Sequence, residues 1–417
     1  VSIRSWEGFS VIFLFAVFLI GSGVCRAQTR LSIQEAVDRA LQTRGSLKAE
    51  AERITAAEGL KKQAGVRPNP EFQFQNENLR PGQTYGRDVD TLAMINQPLD
   101  VLGKRKLRVA LAGEGVARTQ AEYELARWQV AQRVKLAYWT ARGSQEVQSV
   151  LKTTVDNFQK IIDYHASQLS AGAIAEQDLL RVQLEGERLK ISADLAFIEV
   201  SRSRMELLKE MGQSDLGDVV LTEPLAPDGQ VMPGGAEQAL SQRIEVKVAR
   251  AALEQAKANV KYQDISARPD LNVTYGYKRT QLPDALDGVN TAIVSLRVTL
   301  PTTDKNQGNR SAAEAEVRRQ QQLLAAAEAD VRAEYAGAVL EYQLRRTEFL
   351  NALQPLREHA ANISVIASAA YAEGGTDLLR LLDAERARLD AELAWTRGMV
   401  DYRQSIVRLE AAEGVNQ

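Results

Sequence analysis

From Ala112 to Ser170 apolar residues recur every three or four positions, at Val116, Tyr123, Leu125, Val130, Val134 and Tyr138. That spacing predicts one long amphipathic, coiled-coil-like helix. No proline falls from residue 99 to residue 223, and Ala, Leu, Glu, Gln, Arg and Lys dominate there, so nothing breaks the helix and its intrinsic propensity is high. The pattern halts at "SAGAIAEQ" (170–177) and resumes as "DLLRVQLEGERLK" through 212. A tight turn between two long helical patterns predicts an antiparallel hairpin over 104–212. At about 1.5 Å per residue, ~65 helical residues reach close to 100 Å, beyond the span of a globular domain.

The second half of the chain repeats this plan. A second long helical pattern runs over 308–371, with a kink expected at Pro355, and "AEGG" (372–375) turns it into a return helix ending near 414. Each return opens on Asp-Leu-Leu-Arg, with Asp178 and Asp377 separated by 199 positions. Tyr138 has its counterpart in Tyr335.

Ahead of each long helix the period changes from 3.6 to two. Phe72 and Phe74 alternate with polar residues, as do Val273, Tyr275 and Tyr277, while Ala292, Val294, Leu296, Val298 and Leu300 alternate with Ile293, Ser295, Arg297 and Thr299. Four strands are expected, near 69–79, 90–99, 270–279 and 291–300. Segments of this length suit lipid-crossing barrel strands or two soluble hairpins, and alternation alone does not choose between them. Shorter helical patterns at 32–65 and 234–267 precede the two strand pairs.

The chain therefore divides into a leader (1–27), a first structural repeat (28–215), a linker or equatorial segment (216–233) and a second structural repeat (234–414). The fold class is mainly α with a small β part, a duplicated helix-helix-strand-strand-long helix-helix unit. The leader has Arg4, the apolar run 9–24 and a small-residue end at Ala27, the three-part pattern of a secretory signal peptide. An uncleaved anchor is the alternative, although the run is short for a span. The single cysteine, Cys25, is preceded by Val24 and Ser22, which does not fit a lipidation site. Removing the leader leaves a net charge of −3, from −2 for the whole chain, with no basic bias toward nucleic acid.

Four strands cannot close a barrel, and open sheet edges do not survive in lipid. Lipid-crossing strands would have to be pooled, and three chains would supply twelve. The duplicated plan resembles the TolC-type outer-membrane efflux channels. The sharpest match is "VTLPTTDKNQGNR" (298–310), similar to the strand-to-helix junction of the heavy-metal, CzcC-like branch through Leu300, Pro301, Asp304, Lys305, Asn306, Gln307 and Gly308. Thr302-Thr303 departs from that branch's aliphatic–aromatic pair, and "NQPLDVLGKRKLR" (96–108) is a weaker copy. The resemblance implies a homotrimer with a 12-stranded outer-membrane β-barrel continuous with a long periplasmic α-helical barrel. It further implies a periplasmic membrane-fusion adaptor and an inner-membrane RND pump as partners, and a passive conduit for substrates such as divalent heavy-metal cations. It places Asp178, Tyr371, Gly374 and Asp383 at the periplasmic gate, with Gly172 and Gly375 in the tip turns. Arg380 stands where the family has a second aperture Asp, so a lock between Arg380 and Asp178 or Asp383 is the expectation.

On the residues alone, Asp178 and Asp377 equally suit helix-start acids, the preferred reading for Asp377. His165 and His359 have no partner at metal-ligand spacing, no phosphate-cradling loop occurs, and no catalytic constellation or cofactor site is expected. A conduit for drugs or a secreted polypeptide, and a periplasmic coiled-coil adaptor without a barrel, remain the competing readings.

Overall fold

The structure is a computed structural model that describes residues 29–415, apart from 83, 85–88, 215–218, 227–228, 230 and 282–287. The leader and Cys25 lie outside the described residues. The first half runs β1 (Thr29–Leu31), α1 (Ile33–Thr43), α2 (Gly45–Gly65), β2 (Glu71–Glu77), β3 (Asp90–Leu99), α3 (Lys104–Ser170) and α4 (Glu176–Met211). The second runs β4 (Val219–Leu221), α5 (Ala236–Gln242), α6 (Ile244–Ser266), β5 (Leu271–Thr280), β6 (Val289–Val298) and α7 (Gln307–Glu348). A π-helical turn (Phe349–Leu353), α8 (Gln354–Ala372) and α9 (Leu378–Glu413) complete it. Among the described residues no helix is long and apolar enough to cross a membrane, which says nothing of a β-barrel.

One sheet has the order β2-β3-β5-β6, antiparallel throughout. Helices continue it as a wall of the same width. Close to the sheet the neighbours are α2, α3, α6 and α7, and beyond the equator they are α4, α3, α9 and α8. At α3's 67 residues the wall extends about 100 Å from the sheet.

Both long helices start from a left-handed residue, Gly103 with φ 84° and Asn306 with φ 59°. Asparagine is one of the few non-glycine residues that adopt this region readily. Asn306 is further held by its N–H to Asp304 Oδ1 (2.8 Å) and by its amide to the Gln263 carbonyl (2.8 Å). The Lys305 N–H donates to Gln307 Oε1 (2.8 Å). The motif from Pro301 to Gly308 is thus the corner that turns a strand into a helix.

The two halves repeat in their contacts as well as their elements. The Tyr138 hydroxyl donates to the Leu31 carbonyl (2.8 Å), and the Tyr335 hydroxyl donates to the Gly234 carbonyl. Gly212 closes α4 at φ 69° against Arg44, and Gly414 closes α9 at φ 73° against Gln242 and Arg243. Arg243, buried at that junction, pairs with Glu245 (2.9 Å) and Glu334 and lies over the Trp128 ring at 5.3 Å.

A two-stranded parallel sheet, β1 with β4, joins the halves at the equator, an element absent from the sequence expectation. Tyr138 belts it: its oxygen also accepts the N–H groups of Thr222 (3.2 Å) and Glu223 (3.3 Å). Tyr138→Phe leaves the Glu223 N–H without its partner, while the Thr222 N–H and the Leu31 carbonyl still bond each other (3.2 Å), and should cost about 0.5–1.5 kcal/mol. The check is a lowered unfolding midpoint in detergent, with Tyr123→Phe, which lacks such partners, as the control.

The bend expected at Pro355 takes the form of the π-helical turn just before it. Proline has no N–H to give a carbonyl four residues back, and a one-residue slip re-registers the ladder. The slip seats Leu353 on Gly398 of α9, where a Cβ would collide with it.

Candidate functional site: the two-faced wall and its hairpin ends

The sheet separates its side chains by polarity. In register, Phe72, Ile95, Tyr275 and Val294 form one row, and Phe74, Ala93, Tyr277 and Ala292 the next. This face is uncovered: Phe72 is 70% exposed and Val294 78%. The opposite face carries Gln75, Leu92, Lys278 and Thr291 in one row and Glu71, Asn96, Thr274 and Ser295 in another. At its end far from the helices Lys278 pairs with Glu77 (3.1 Å), and Asp90 accepts from the Gln281 N–H (2.7 Å). A sheet apolar and bare on one side and polar on the other can stand between lipid and water. Its outer strands, β2 and β6, have no partner on one side.

The helical wall is likewise open at both flanks. On α4 the heptad Val182, Leu189, Ala196 and Ser203 is buried. A second heptad on the opposite side, Leu184, Ile191, Ile198 and Met205, is 52–61% exposed. On the far flank Leu340, Leu344, Leu356, Ile363 and Ile366 of α7 and α8 are also exposed. Isolated exposed leucines are ordinary, but two aligned apolar stripes are more than that.

At the end remote from the sheet the two hairpins of one chain meet. Phe158, Val182, Leu189, Leu378, Leu381 and Leu382 form their shared apolar cluster. The tip turns are left-handed at Gly172 (φ 69°) and Gly374 (φ 74°), and Gly375 follows in the second. The two Asp-Leu-Leu-Arg copies are placed differently. Asp377 is the N-cap of α9, with Oδ1 accepting from the Arg380 N–H (2.9 Å). Asp178 lies inside the first turn of α4 and caps nothing.

Within one protomer Arg380 is exposed, and among the described residues its ion pair with Asp178 or Asp383 is not formed. The cross-hairpin charge is carried six residues further along α9, by Arg386. Its guanidinium grips both carboxylate oxygens of Glu185 on α4 and lies 3.9 Å from Asp383. The Arg386 hydrogen bond holds the Glu185 carboxyl below the usual carboxylate range. Tyr371 at the end of α8 bonds to His165 of α3, Oη to Nε2 at 2.8 Å. Burial pushes the Tyr371 hydroxyl up, and the nearby Tyr164 and Asp178 add to it.

Sequence reasoning missed Glu185, Arg386 and His165. Glu185 and Arg386 are 201 residues apart, nearly the interval of the repeat, so equal depth behind the two turns was the available signal. Among the described residues no group of three His, Cys, Asp or Glu is placed to hold a metal ion.

Comparison with known proteins agrees with this architecture. The chain is 22% identical over 367 residues to the cobalt-zinc-cadmium resistance protein CzcC of Cupriavidus metallidurans, covering 88% of this chain and 85% of that one. Its fold superposes on crystal structures of CusC (TM-score 0.75, 18% identity, 92% of each chain). It also superposes on the open state of the MtrE outer membrane channel of Neisseria gonorrhoeae (TM-score 0.74, 20% identity, 92% of this chain and 88% of that one). The family model for outer membrane efflux proteins, which are channels rather than enzymes, matches residues 36–195 and 235–415. With its duplicated, two-faced wall and these matches across nearly its whole described length, the chain belongs to the outer membrane efflux protein family.

Proposed function

We propose that three copies of this chain close into one conduit that carries divalent heavy-metal cations such as cobalt, zinc or cadmium out across the periplasm and outer membrane. The observation that carries the proposal is the pair of unsatisfied flanks: β2 with α4 on one side, β6 with α7 and α8 on the other. A four-stranded sheet is too narrow to close on itself. Edge β6 of one copy against edge β2 of the next leaves no edge in lipid, and three copies give a barrel of twelve strands. The same rotation lays the exposed heptad of α4 against the apolar stripe of α7 and α8. The helices then form a tube in the periplasm, and the hairpin ends face a periplasmic membrane-fusion adaptor and an inner-membrane RND pump. The leader is the export signal, and the conduit itself is passive. The cargo assignment is supported by the similarity to CzcC and by the junction residues Pro301, Asp304, Asn306, Gln307 and Gly308.

A deletion strain should become sensitive to cobalt, zinc and cadmium and regain resistance with the gene in trans. Hypersensitivity to dyes and drugs with unchanged metal tolerance would reassign the cargo. The extracted protein should sediment with outer membranes at the mass of three chains.

The hairpin ends are the gate in this reading. Asp383, exposed and three times repeated about the axis, narrows the mouth electrostatically. Asp383→Ala leaves the Glu185–Arg386 pair in place and should raise the conductance of the closed channel in planar bilayers several-fold. Unchanged conductance would remove Asp383 from the gate.

A further inference from the structure

We propose that His165 is a positioning residue of the gate, holding Tyr371 and through it latching α8 to α3 within each protomer. It rests on the reading of the hairpin ends as the gate.

The imidazole is 1% exposed, although it lies on a helix near the tip of the molecule. Nδ1 sits 2.8 Å from the Ile161 carbonyl oxygen. A carbonyl only accepts, so Nδ1 carries the proton. In the neutral ring Nε2 is then the acceptor, and the Tyr371 hydroxyl donates to it. The two rings stack at 5.7 Å with 17° between their planes, and Tyr164 meets the imidazole edge-on at 5.6 Å. Among the described residues this is the only polar bond recorded between α3 and α8. The other ties of α8, Arg357 to Glu392 and Ser364 to Glu385, go to α9. A second tie at the same end, Glu185 to Arg386, joins α4 to α9. At this end of the molecule the two hairpins are therefore tied at two places, once through an imidazole.

The groups that face the pair are few. Tyr164 of α3 and Asp178 of α4 are the titratable groups acting on Tyr371. From α9 the cluster receives Leu378, Leu381 and Leu382. A proton on Nε2 removes the acceptor, forces Tyr371 to turn its hydroxyl, and places a cation in a site that is 1% exposed. Acid should therefore loosen the latch.

The test is the leak of purified trimers in planar bilayers between about pH 8 and about pH 5, the range over which histidines titrate. Wild-type leak should rise as pH falls. His165→Ala and Tyr371→Phe should leak at every pH, roughly fivefold or more above wild type at neutrality, the factor that goes with one typical hydrogen bond. The double variant should leak no more than either single one. His165→Gln, whose amide oxygen can still accept from Tyr371, should stay tight and lose the pH response. A wild-type profile flat in pH, or His165→Gln leaking like His165→Ala, overturns the proposal. Trimer mass on each variant separates a folding failure from a gating effect. If Asp383→Ala and Arg386→Ala leak while the His165 and Tyr371 variants do not, the latch alone falls. If none of them leaks, the gate reading itself has failed.

Discussion

Gly276→Ala should abolish the proposed outer-membrane trimer. Gly276 lies in β5 directly opposite Met94 of β3. A Cβ there would collide with the Ala93 carbonyl oxygen and come within 2.7 Å of the Met94 Cα. Both are backbone atoms of a paired strand, so no side chain can swing aside. The strands must part or slip, and a slip of one residue exchanges the apolar and polar faces. The cost is about 3 kcal/mol per chain, the upper end for overpacking a tight site. In the proposed ring all three copies share the sheet, so the penalty is incurred three times. Outer membranes from cells making the variant should lack the high-mass species, with the chain recovered as aggregate or degraded. Gly308→Ala is the control, because a Cβ there meets nothing within 4 Å. Normal trimer from Gly276→Ala would mean that the β3–β5 pairing in the assembled state is not the one described.

That glycine also marks how far the sequence could be read. The mainly helical, duplicated plan was legible because it rests on local periodicities. Heptads along α3 and α4, alternation in β5 and β6, and glycines at the two hairpin ends each report their own neighbourhood. What stayed hidden depends on residues far apart in the chain. Pairing of β1 with β4 joins three residues to three others across a whole repeat, and segments so short carry no pattern. His165 has no partner at metal-ligand spacing in the sequence, because its partner is a tyrosine 206 positions away. Arg380 drew attention because it replaces an acid in a repeated motif, yet its side chain meets neither acid inside one protomer. Arg386, in an unremarkable Arg/Glu-rich stretch, bridges the hairpins instead. Pro355 announced a bend without disclosing that a π-helical turn would make it. The duplication itself was visible, and so was the cap role of Asp377, the preferred reading there and the one the structure shows. The second return helix begins at Leu378, after its aspartate, and the first begins at Glu176, before its own.

The largest effect is expected from Ile191→Glu combined with Ile198→Glu. Both residues lie on the exposed heptad of α4, about 60% open in the single chain, so the variant protomer loses little internal contact and should fold with full helix content. In the proposed ring the same two side chains face the apolar stripe of Leu340, Leu344, Leu356 and Ile363 on the neighbouring copy. A carboxylate there is buried without a partner, at roughly 3–5 kcal/mol for each uncompensated charge, and the ring has three such seams. No stable trimer should remain, and the extracted chain should run at the mass of one copy with an unchanged far-ultraviolet dichroism spectrum. Metal resistance should be lost with it. Val182→Glu on the buried heptad, by contrast, should unfold the protomer itself, because that side chain is fully buried between the helices of its own chain. The pair of variants thus separates the seam inside a chain from the seam between chains. A stable trimer carrying both glutamates would place the α4 stripe against water. The ring would then have to close through some other face.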